Sequence, residues 1–441
     1  MGSIEPEKQS SHSKDASELG SRRWNFIPNG AILLLFYLLF AALLVARRPD
    51  CIRNPQFWAE EGERFFVDAH ERSGWINLAT HSLGYFYLSI RLVSQAAAHV
   101  PLPHAPLVLV LSALAIQAAV PTFILSSRCA NWMGPFPLRL AAALLYCGMP
   151  NSFEVHSIAL NARVHLVMLA ALIIVSPPPL SSRGKVFDAT VLILTGLSGP
   201  YVLLLAPMAL WRHWQAPSST TWRNCLILFV TFGFAIFAAV MSGGQRAGNI
   251  QLGASFWEGV RVIGGQLVMG FLLGEKTYAA ILHQSWFDTA AGVSLLFLVL
   301  LLIVILKWGR TELRYLLLIG FGSLAMALAA PVGIQDIPQW RGLWSVPGCG
   351  QRYYFLPMAT LLFALATLAG RAKQWWWRGL AAGLLALIGA MGARVDWVLP
   401  PFTDFHFPQY AQRYRSLPAG SSIMVPINPP GWYMKLKKPT Q

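Results

Sequence analysis

Charged side chains are scarce in this sequence. Asp, Glu, Lys and Arg make up 12% of its 441 residues, whereas hydrophobic residues make up 55%. Soluble domains carry about twice that share of charge, so a water-soluble fold is excluded. The five cysteines are scattered without a CxxC pair, which argues against a thiolate metal site. No internal repeat is visible, which weakens the case for a transporter built from duplicated halves.

Long runs rich in Leu and Ala dominate the rest of the chain. In lipid the backbone must satisfy its own hydrogen bonds as helices or as a closed barrel, and continuous runs favour helices. The sequence predicts an all-α polytopic membrane protein with about 11 transmembrane helices, within a range of about 10 to 13, because each crossing needs about 20 apolar residues. The clear candidates are 29–46, 105–126, 157–176, 222–242, 289–307, 314–331, 353–369 and 379–396.

Basic residues outnumber acidic ones, and the formal net charge is +15. Since the basic residues mostly flank apolar runs, we attribute them to the positive-inside rule and expect no nucleic-acid partner. Five short basic loops share the cytoplasmic side with the N-terminus if 83–99 lies in the interface and 188–211 forms a short hairpin. The tip of that hairpin would be 196–200, which contains helix-breaking Gly and Pro. A competing topology makes 83–99 a span and 188–211 one long helix, and both topologies leave the C-terminus extracytoplasmic.

The chain is expected to divide into three parts. Residues 1–28 are polar and predict a disordered cytoplasmic tail, with no cleavable signal peptide before the first apolar run. Residues 29–396 form the transmembrane domain, and residues 397–441 form an extracytoplasmic C-terminal tail. We expect interfacial helices in the first of three outer loops, which are 47–82, 243–288 and 332–351.

The first outer loop contains an acidic motif, in a chain with only 19 acidic residues. Glu60 and Glu61 follow Trp58, which would anchor an interfacial helix. One interpretation is a helix cap, since the helix dipole stabilises carboxylates near a helix N-terminus. The other is a general base at the membrane surface, poised to take a proton from a hydroxyl. The same two carboxylates would ligate Mg²⁺ or Mn²⁺ if a divalent cation is used.

A second polar cluster leads into the third clear span. If the segment is helical, Glu154, Asn161 and His165 share one face of it, and His156 lies nearby. Ionisable residues at membrane depth usually face a cavity or a partner, so all four are candidate substrate ligands. A structural hydrogen-bond network between helices is the alternative.

A third candidate is the pair Arg352 and Tyr353, at the outer start of a span. An arginine beside a tyrosine suits a phosphate at headgroup depth, although both residue types also serve as interfacial anchors. The weaker candidates are basic residues of the outer segments, namely His81, Arg91 and Arg246.

In order and spacing, these motifs resemble the C superfamily of integral membrane glycosyltransferases (GT-C), whose hallmark is an acidic motif in the first outer loop. The chain looks more closely like a group of uncharacterised bacterial membrane proteins. These carry Trp-Ala-Glu-Asp-Gly in that loop, a Gly-Tyr stretch followed by Arg, a Gly-Pro hairpin and an Arg-Tyr-Phe-like step. The likeness covers most of the chain from about 29 to 434, and Glu61 stands where Asp is commoner. The matching segments here are 58–62, 84–91, 199–200 and 352–354.

The resemblance implies a GT-C-like fold in the plasma (bacterial inner) membrane. A sugar on a polyprenyl-phosphate donor would be transferred to an extracytoplasmic glycan, lipid or protein acceptor. Glu60 or Glu61 would activate the acceptor hydroxyl, and basic residues such as Arg352 would hold the leaving lipid phosphate. Trp58 and Tyr85, which lie in the matching motifs, join the candidate substrate-binding residues. The alternatives are a transporter or flippase of lipid-linked or small polar substrates, and a non-enzymatic envelope scaffold.

Overall fold

The computed structural model describes residues 26–72, 74–81, 84–242, 251–333 and 336–440. Most of the predicted N-terminal tail therefore lies outside the described residues, and so does Arg246. The described chain is mostly helical, as its long apolar runs predict.

The described residues between 26 and 175 contain nine α-helices. In chain order they are α1 Gly30–Arg47, α2 Asp50–Arg53, α3 Val67–Glu71, α4 Gly74–Ala79, α5 Leu88–Ala98, α6 Ala105–Leu125, α7 Ser127–Met133, α8 Phe136–Cys147 and α9 Ala162–Val175. A π-helical turn, Glu61–Phe66, leads into α3, and 3-10 turns lie at Leu102–His104 and Phe153–Val155. Local chemistry sets the start of α1, where the Asn29 side chain accepts a hydrogen bond from Ile32 N–H at 3.0 Å.

Twelve further α-helices follow in the part of the chain that the structure describes. They are α10 Ser182–Gly196, α11 Val202–Gln215, α12 Ser219–Met241, α13 Phe256–Val260, α14 Gly270–Leu273, α15 Glu275–Ile281, α16 Phe287–Trp308, α17 Thr311–Ala329, α18 Gln339–Ser345, α19 Gln351–Arg371, α20 Trp375–Arg394 and α21 Phe407–Ser416. The π-helical stretch Arg261–Met269 joins α13 to α14 in one continuous helix. A capping box between Ser218 and Thr221 begins α12.

Eight helical stretches of the described residues are long and apolar enough to cross a membrane. Two shorter apolar helices, α8 and α9, pack in the same bundle. The chain is therefore a polytopic α-helical membrane protein. The eight stretches are Gly30–Arg47, Leu102–Leu125, Ser219–Met241, Phe256–Leu273, Phe287–Lys307, Thr311–Ala329, Gln351–Arg371 and Trp375–Arg394.

Polar contacts distinguish the two ends of the helix bundle. At one end, which we call the basic end, Arg139 of α8 donates to Leu125 O at 2.6 Å. At the opposite end, the loop end, Arg47 of α1 donates to Cys147 O and to Asp396 O, both at 2.9 Å. The acidic motif of the first loop lies at the loop end. Helices α1 and α8 therefore run from the basic end to the loop end.

The segment 188–211 is a helical hairpin, so the competing prediction of one long helix is wrong. Asp188 lies close to Arg223, and a Cβ added to Gly196 would overlap the Thr231 side chain. Helix α10 therefore runs parallel to α12. Helix α11 leads into α12 through a short turn and runs antiparallel to both helices, so the chain reverses between α10 and α11.

The hairpin tip contacts the start of α5. Leu88 N–H donates to Leu197 O, and Ser89 N–H donates to the Ser198 hydroxyl, each at 2.9 Å. Helix α5 has 11 residues, and a helix of that length falls well short of the roughly 30 Å hydrocarbon core. This length favours the interfacial placement of 83–99, and the span of the competing topology stays a prediction.

The C-terminal segment contains two strands, which its sequence pattern did not predict. Strands β1 (Ser422–Ile427) and β2 (Trp432–Lys437) form an antiparallel sheet in which Val425 lies opposite Met434. This sheet is an addition to the predicted all-α architecture. Its alternating buried side chains join aromatic residues of the first loop in one apolar cluster: Val425, Ile427, Met434, Leu436, Phe57 and Phe66.

Close packing of α16 against the 256–273 helix gives a first testable prediction. A Cβ added to Gly264 would overlap the backbone oxygen of Ala291, and small residues permit such close helix approach. We predict that Gly264→Ala lowers the thermal unfolding midpoint in detergent, because the two backbones must separate. The free energy of unfolding should fall by about 1–3 kcal/mol. The matched control is Gly292→Ala on α16, where an added Cβ meets nothing within 4 Å. Equal destabilisation by both variants would contradict the packing.

Candidate functional site

The acidic motif is a tight loop held by the C-terminal segment. Ala59 has a φ of 40°, which is costly for a residue with a Cβ and persists only where the surroundings enforce it. The backbone of Asn428 enforces this conformation. Its N–H donates to Phe57 O at 3.0 Å, and its backbone carbonyl oxygen accepts from Ala59 N–H. The Asn428 side chain is fixed in turn by two 2.9 Å hydrogen bonds with the Thr403 backbone. This clamp sets the direction in which Glu60 leaves the backbone.

The two adjacent carboxylates have different surroundings. Glu61 is only 3% exposed, and its Oε1 accepts from Leu160 N–H at 2.7 Å. Burial raises the pKa of the Glu61 carboxyl to about 8, although backbone N–H donors act in the opposite direction. Glu60 is half-buried, and its charge acts on Arg352. Glu61 is therefore a buried acid, whereas Glu60 is the carboxylate that is open to the site.

The raised pKa of Glu61 makes stability depend on pH in a definite direction. Between the ordinary pKa of 4.5 and the folded-state value of about 8, the folded chain keeps a proton on Glu61 that the unfolded chain loses. Stability therefore falls as pH rises through this window. We predict that Glu61→Gln, which keeps an acceptor for Leu160 N–H, gains thermal stability relative to wild type between pH 5 and pH 8. Glu63→Gln, which changes an exposed carboxyl of the same turn, should show no such pH-dependent gain. If Glu61→Gln also shows no pH-dependent gain in stability, Glu61 is not a buried acid.

Arg352 lies in the first turn of α19. Its guanidinium forms an ion pair with Glu154 and donates to Val332 O at 2.6 Å and to the Tyr353 hydroxyl at 3.2 Å. Glu154 also accepts from the backbone N–H of Arg352 at 3.2 Å. Glu154 therefore fixes Arg352 and partly neutralises its charge, and the predicted neighbours Arg352 and Tyr353 are in direct contact.

Arg163 is a second cation at this site, and it was not among the predicted ligands. Its guanidinium lies over the Tyr87 ring, 5.4 Å from the centroid, and it interacts electrostatically with Tyr201 and Tyr353. No carboxylate of the described residues lies within 4 Å of it. Its Nε also has no hydrogen-bond partner among them. The charge of Arg163 is therefore available to an anion.

Tyr87 and Tyr201 were also missed, although the sequence carried a signal for each. Tyr87 follows the predicted Tyr85 by two positions, and Tyr201 directly follows the Gly-Pro step at the hairpin tip. Tyr87 has a φ of 56°, so a second left-handed residue lies at the site besides Ala59. Strained backbone concentrated at one place is characteristic of functional sites.

The polar stripe predicted for Glu154, Asn161 and His165 is not a helical face. Helix α9 begins only at Ala162, and the residues before it are irregular apart from the 3-10 turn Phe153–Val155. The prediction was wrong because it applied a helical period to a segment that the chain uses as a loop.

The other polar residues of this segment are buried and bonded within the protein. Asn161 donates to Glu154 O at 2.8 Å, and His165 Nδ1 lies 2.7 Å from the Tyr146 hydroxyl. His156 Nε2 lies 2.7 Å from Nη1 of Arg47, at the end of α1. These contacts fit the alternative of a structural network, so we leave Asn161, His156 and His165 out of the proposed site.

Two of the predicted aromatic ligands border the site. Trp58 packs against Phe402 with ring centroids 5.0 Å apart, so it belongs to the contact between the first loop and the C-terminal segment. Tyr85 stands edge-on to Tyr87, with centroids 6.1 Å apart. Both rings are half-buried, which leaves part of each accessible to a ligand.

The remaining predicted ligands are not brought to the same place. His81 lies 3.2 Å from the Ser242 hydroxyl after the end of α12. Arg91 is fully buried and forms an ion pair with Asp68 at 3.3 Å, which gives it a structural role in the first loop. Arg246 lies outside the described residues.

The predicted divalent cation does not fit these side chains. No group of three or more His, Cys, Asp or Glu side chains in the described part of the chain is placed to hold a metal ion. Glu61 is turned to the Leu160 amide, which leaves Glu60 as the open carboxylate. Arg352 adds positive charge beside Glu60, and like charges oppose a dication. We therefore derive no step through a metal.

Comparison of the chain with protein-family models, with curated proteins and with solved structures finds no match.

Proposed function

We propose that this protein is a membrane glycosyltransferase that moves a sugar from a polyprenyl-phosphate donor to an acceptor hydroxyl at the loop end. The observation that carries the proposal is the interaction of Glu60 with Arg352, together with Arg163, which shares its neighbours Tyr87 and Tyr353 with Arg352. A carboxylate beside an arginine, with a second arginine on the same tyrosines, offers a base for a hydroxyl and counter-charge for a leaving phosphate. The resemblance of the acidic motif to that of the GT-C superfamily supports the same reading.

In the proposed reaction, Glu60 takes the proton of the acceptor hydroxyl while the hydroxyl oxygen attacks the anomeric carbon of the sugar. The bond between that carbon and the phosphate oxygen breaks, and polyprenyl phosphate leaves with the electron pair. Glu61 is the weaker candidate for the base, because a carboxyl with a pKa of about 8 is mostly protonated at neutral pH. Its proposed role is to hold the motif against Leu160.

The arginines have complementary roles in this scheme. Arg163 supplies charge that no described carboxylate neutralises, and Arg352 supplies a guanidinium that Glu154 holds in place. Guanidinium groups bind phosphate oxygens with two parallel hydrogen bonds. The hydroxyl groups of Tyr87 and Tyr201 are suited to donate to the same phosphate or to the sugar, whereas the Tyr353 hydroxyl already donates to Val332 O at 3.0 Å.

We also propose that the loop end is extracytoplasmic and that the chain crosses the membrane about 11 times. Seven of the eight long apolar stretches run between the two ends, and α8 to α11 add four shorter crossings. The exception is the 256–273 helix, because contacts at both of its ends lie at the loop end. Arg261 pairs with Asp288 at 2.7 Å, and Asp396 accepts from Glu275 N–H at 2.7 Å. The arginines at the basic end favour its cytoplasmic placement.

The proposal is tested by adding a panel of radiolabelled polyprenyl-phosphate sugars to the purified protein in proteoliposomes, together with membrane extracts as acceptor. We expect label from one donor to appear in an acceptor, with release of polyprenyl phosphate. Movement of an intact lipid-linked sugar between leaflets, without cleavage, would favour the transporter reading over the transferase.

A further inference from the structure

A cavity lies at the basic end, on the opposite side of the bundle from Glu60. Its volume is about 240 Å³, below the roughly 300–1,000 Å³ of pockets for drug-sized ligands. It is bounded by the connection after α9, the end of α11 and the first turn of α12. Exposed Pro178, Pro217 and Ser218 form its rim, so the cavity opens to the surface.

The lining of this cavity is cationic. Arg128 and Arg212 both line it, and the lining contains no Asp or Glu. Arg128 is already paired with Asp188 at 2.7 Å. The Arg212 side chain forms no hydrogen bond or ion pair with any residue that the structure describes. The cavity therefore carries one positive charge in excess at Arg212.

Neutral donors complete the lining. Ser176, Ser218, Thr220, Thr221 and the buried Asn224 also line the cavity. The Ser218 and Thr221 hydroxyl groups already form the capping box of α12, which leaves the hydroxyl groups of Ser176 and Thr220 and the Asn224 amide as candidate donors. Hydroxyl and amide groups beside an arginine are the donor set that phosphate oxygens accept from. The cavity thus combines one uncompensated charge with several short donors, in a volume suited to a single headgroup.

The position of the cavity points to a membrane lipid. It lies at the start of α12, one of the helices long enough to cross the bilayer, which is the level of the lipid headgroups. Three tryptophans of the same region are exposed at 54%, 79% and 57%, and exposed tryptophans are enriched at membrane–water interfaces. They are Trp211, Trp214 and Trp222.

We propose that this cavity binds the phosphate group of an anionic phospholipid headgroup, with Arg212 as its principal ligand. The bound lipid would hold the α9–α10 connection against the α11–α12 turn, since residues of both line the cavity. The test of this proposal measures lipid binding and not sugar transfer. Its outcome therefore does not depend on the proposed transferase function.

The test places the full-length protein in nanodiscs of phosphatidylcholine with a minor fraction of phosphatidylglycerol. Native mass spectrometry counts the phosphatidylglycerol molecules that stay bound. We expect Arg212→Ala to reduce this retention at least about fivefold, because it removes charge-assisted hydrogen bonds, and Arg212→Lys to restore part of it. The control is Arg183→Ala, which removes an exposed arginine of α10 outside the lining. Equal losses in Arg212→Ala and Arg183→Ala, or no retention by wild type, would overturn the proposal.

A competition arm identifies the source of the phosphate. Inorganic phosphate is added at increasing concentration while phosphatidylglycerol retention is measured in wild type. Retention that resists inorganic phosphate supports a lipid headgroup as the ligand. Displacement that depends on Arg212 shows a site that also takes free phosphate, whereas displacement that is the same in Arg212→Ala contradicts specific binding there.

Discussion

Replacing Glu60 with glutamine is expected to reduce sugar transfer by about 10²- to 10⁴-fold, which is the usual contribution of a positioned general base. The amide keeps the size of the side chain but does not accept the proton of the acceptor hydroxyl. The loss should appear in kcat at saturating donor, since donor binding depends on the arginines. Initial rates of label transfer from the active donor measure it.

Two neighbouring substitutions control the Glu60 result. Glu63→Gln changes an exposed carboxyl within the same turn and should transfer at nearly the wild-type rate. Glu61→Gln mimics the protonated acid that burial favours, so it should retain far more activity than Glu60→Gln. A folded Glu61→Gln protein that is inactive beside an active Glu60→Gln protein would reverse the assignment of base and positioning residue.

Replacing Arg163 with glutamine is expected to lower transfer by about 10²- to 10³-fold, the range seen when one preorganised donor to a developing charge is lost. The reason is that Arg163 is the cation whose charge no described carboxylate neutralises. Arg163→Lys should recover part of the activity, because it restores the charge without the planar fork of donors. Michaelis–Menten parameters for the donor separate the effect on binding from that on kcat.

The matched control for Arg163 is Arg341→Gln, which removes an exposed arginine at the same end of the bundle. Both variants lose one positive charge and therefore change the long-range field alike. If Arg341→Gln reduces transfer as much as Arg163→Gln does, then general attraction of an anionic donor explains the effect. A folded Arg163→Gln protein with the wild-type rate would remove Arg163 from the site.

Local patterns predicted the hairpin at 188–211 correctly, because Gly and Pro interrupt an apolar run at its tip. The prediction that Asn161 and His165 share a helical face failed, because no residue type in this segment indicates that the helix begins only at Ala162. Strand β1 was also not predicted, because prolines such as Pro426 argue against a strand. The sheet forms because its buried face packs on the first loop, a contact that is distant in the sequence.

The sequence also does not distinguish the chemical roles of the two carboxylates of the acidic motif. Glu60 and Glu61 are equivalent in the sequence, and their difference arises only from the fold. Leu160 N–H and the surrounding apolar residues take Glu61 out of water, whereas Ala59 is held by Asn428 so that Glu60 stays at the site. Arg163 escaped prediction for a related reason, since its tyrosine neighbours come from separate segments of the chain.

The most direct measurement is cleavage of a radiolabelled polyprenyl-phosphate sugar by reconstituted wild-type, Glu60→Gln and Glu63→Gln proteins of equal thermal stability. We predict that wild type and Glu63→Gln release polyprenyl phosphate and pass the sugar to an acceptor, whereas Glu60→Gln does neither at a comparable rate. Equal donor cleavage by all three proteins would contradict Glu60 as the base. Transport of the uncleaved donor by all three would contradict the transferase itself.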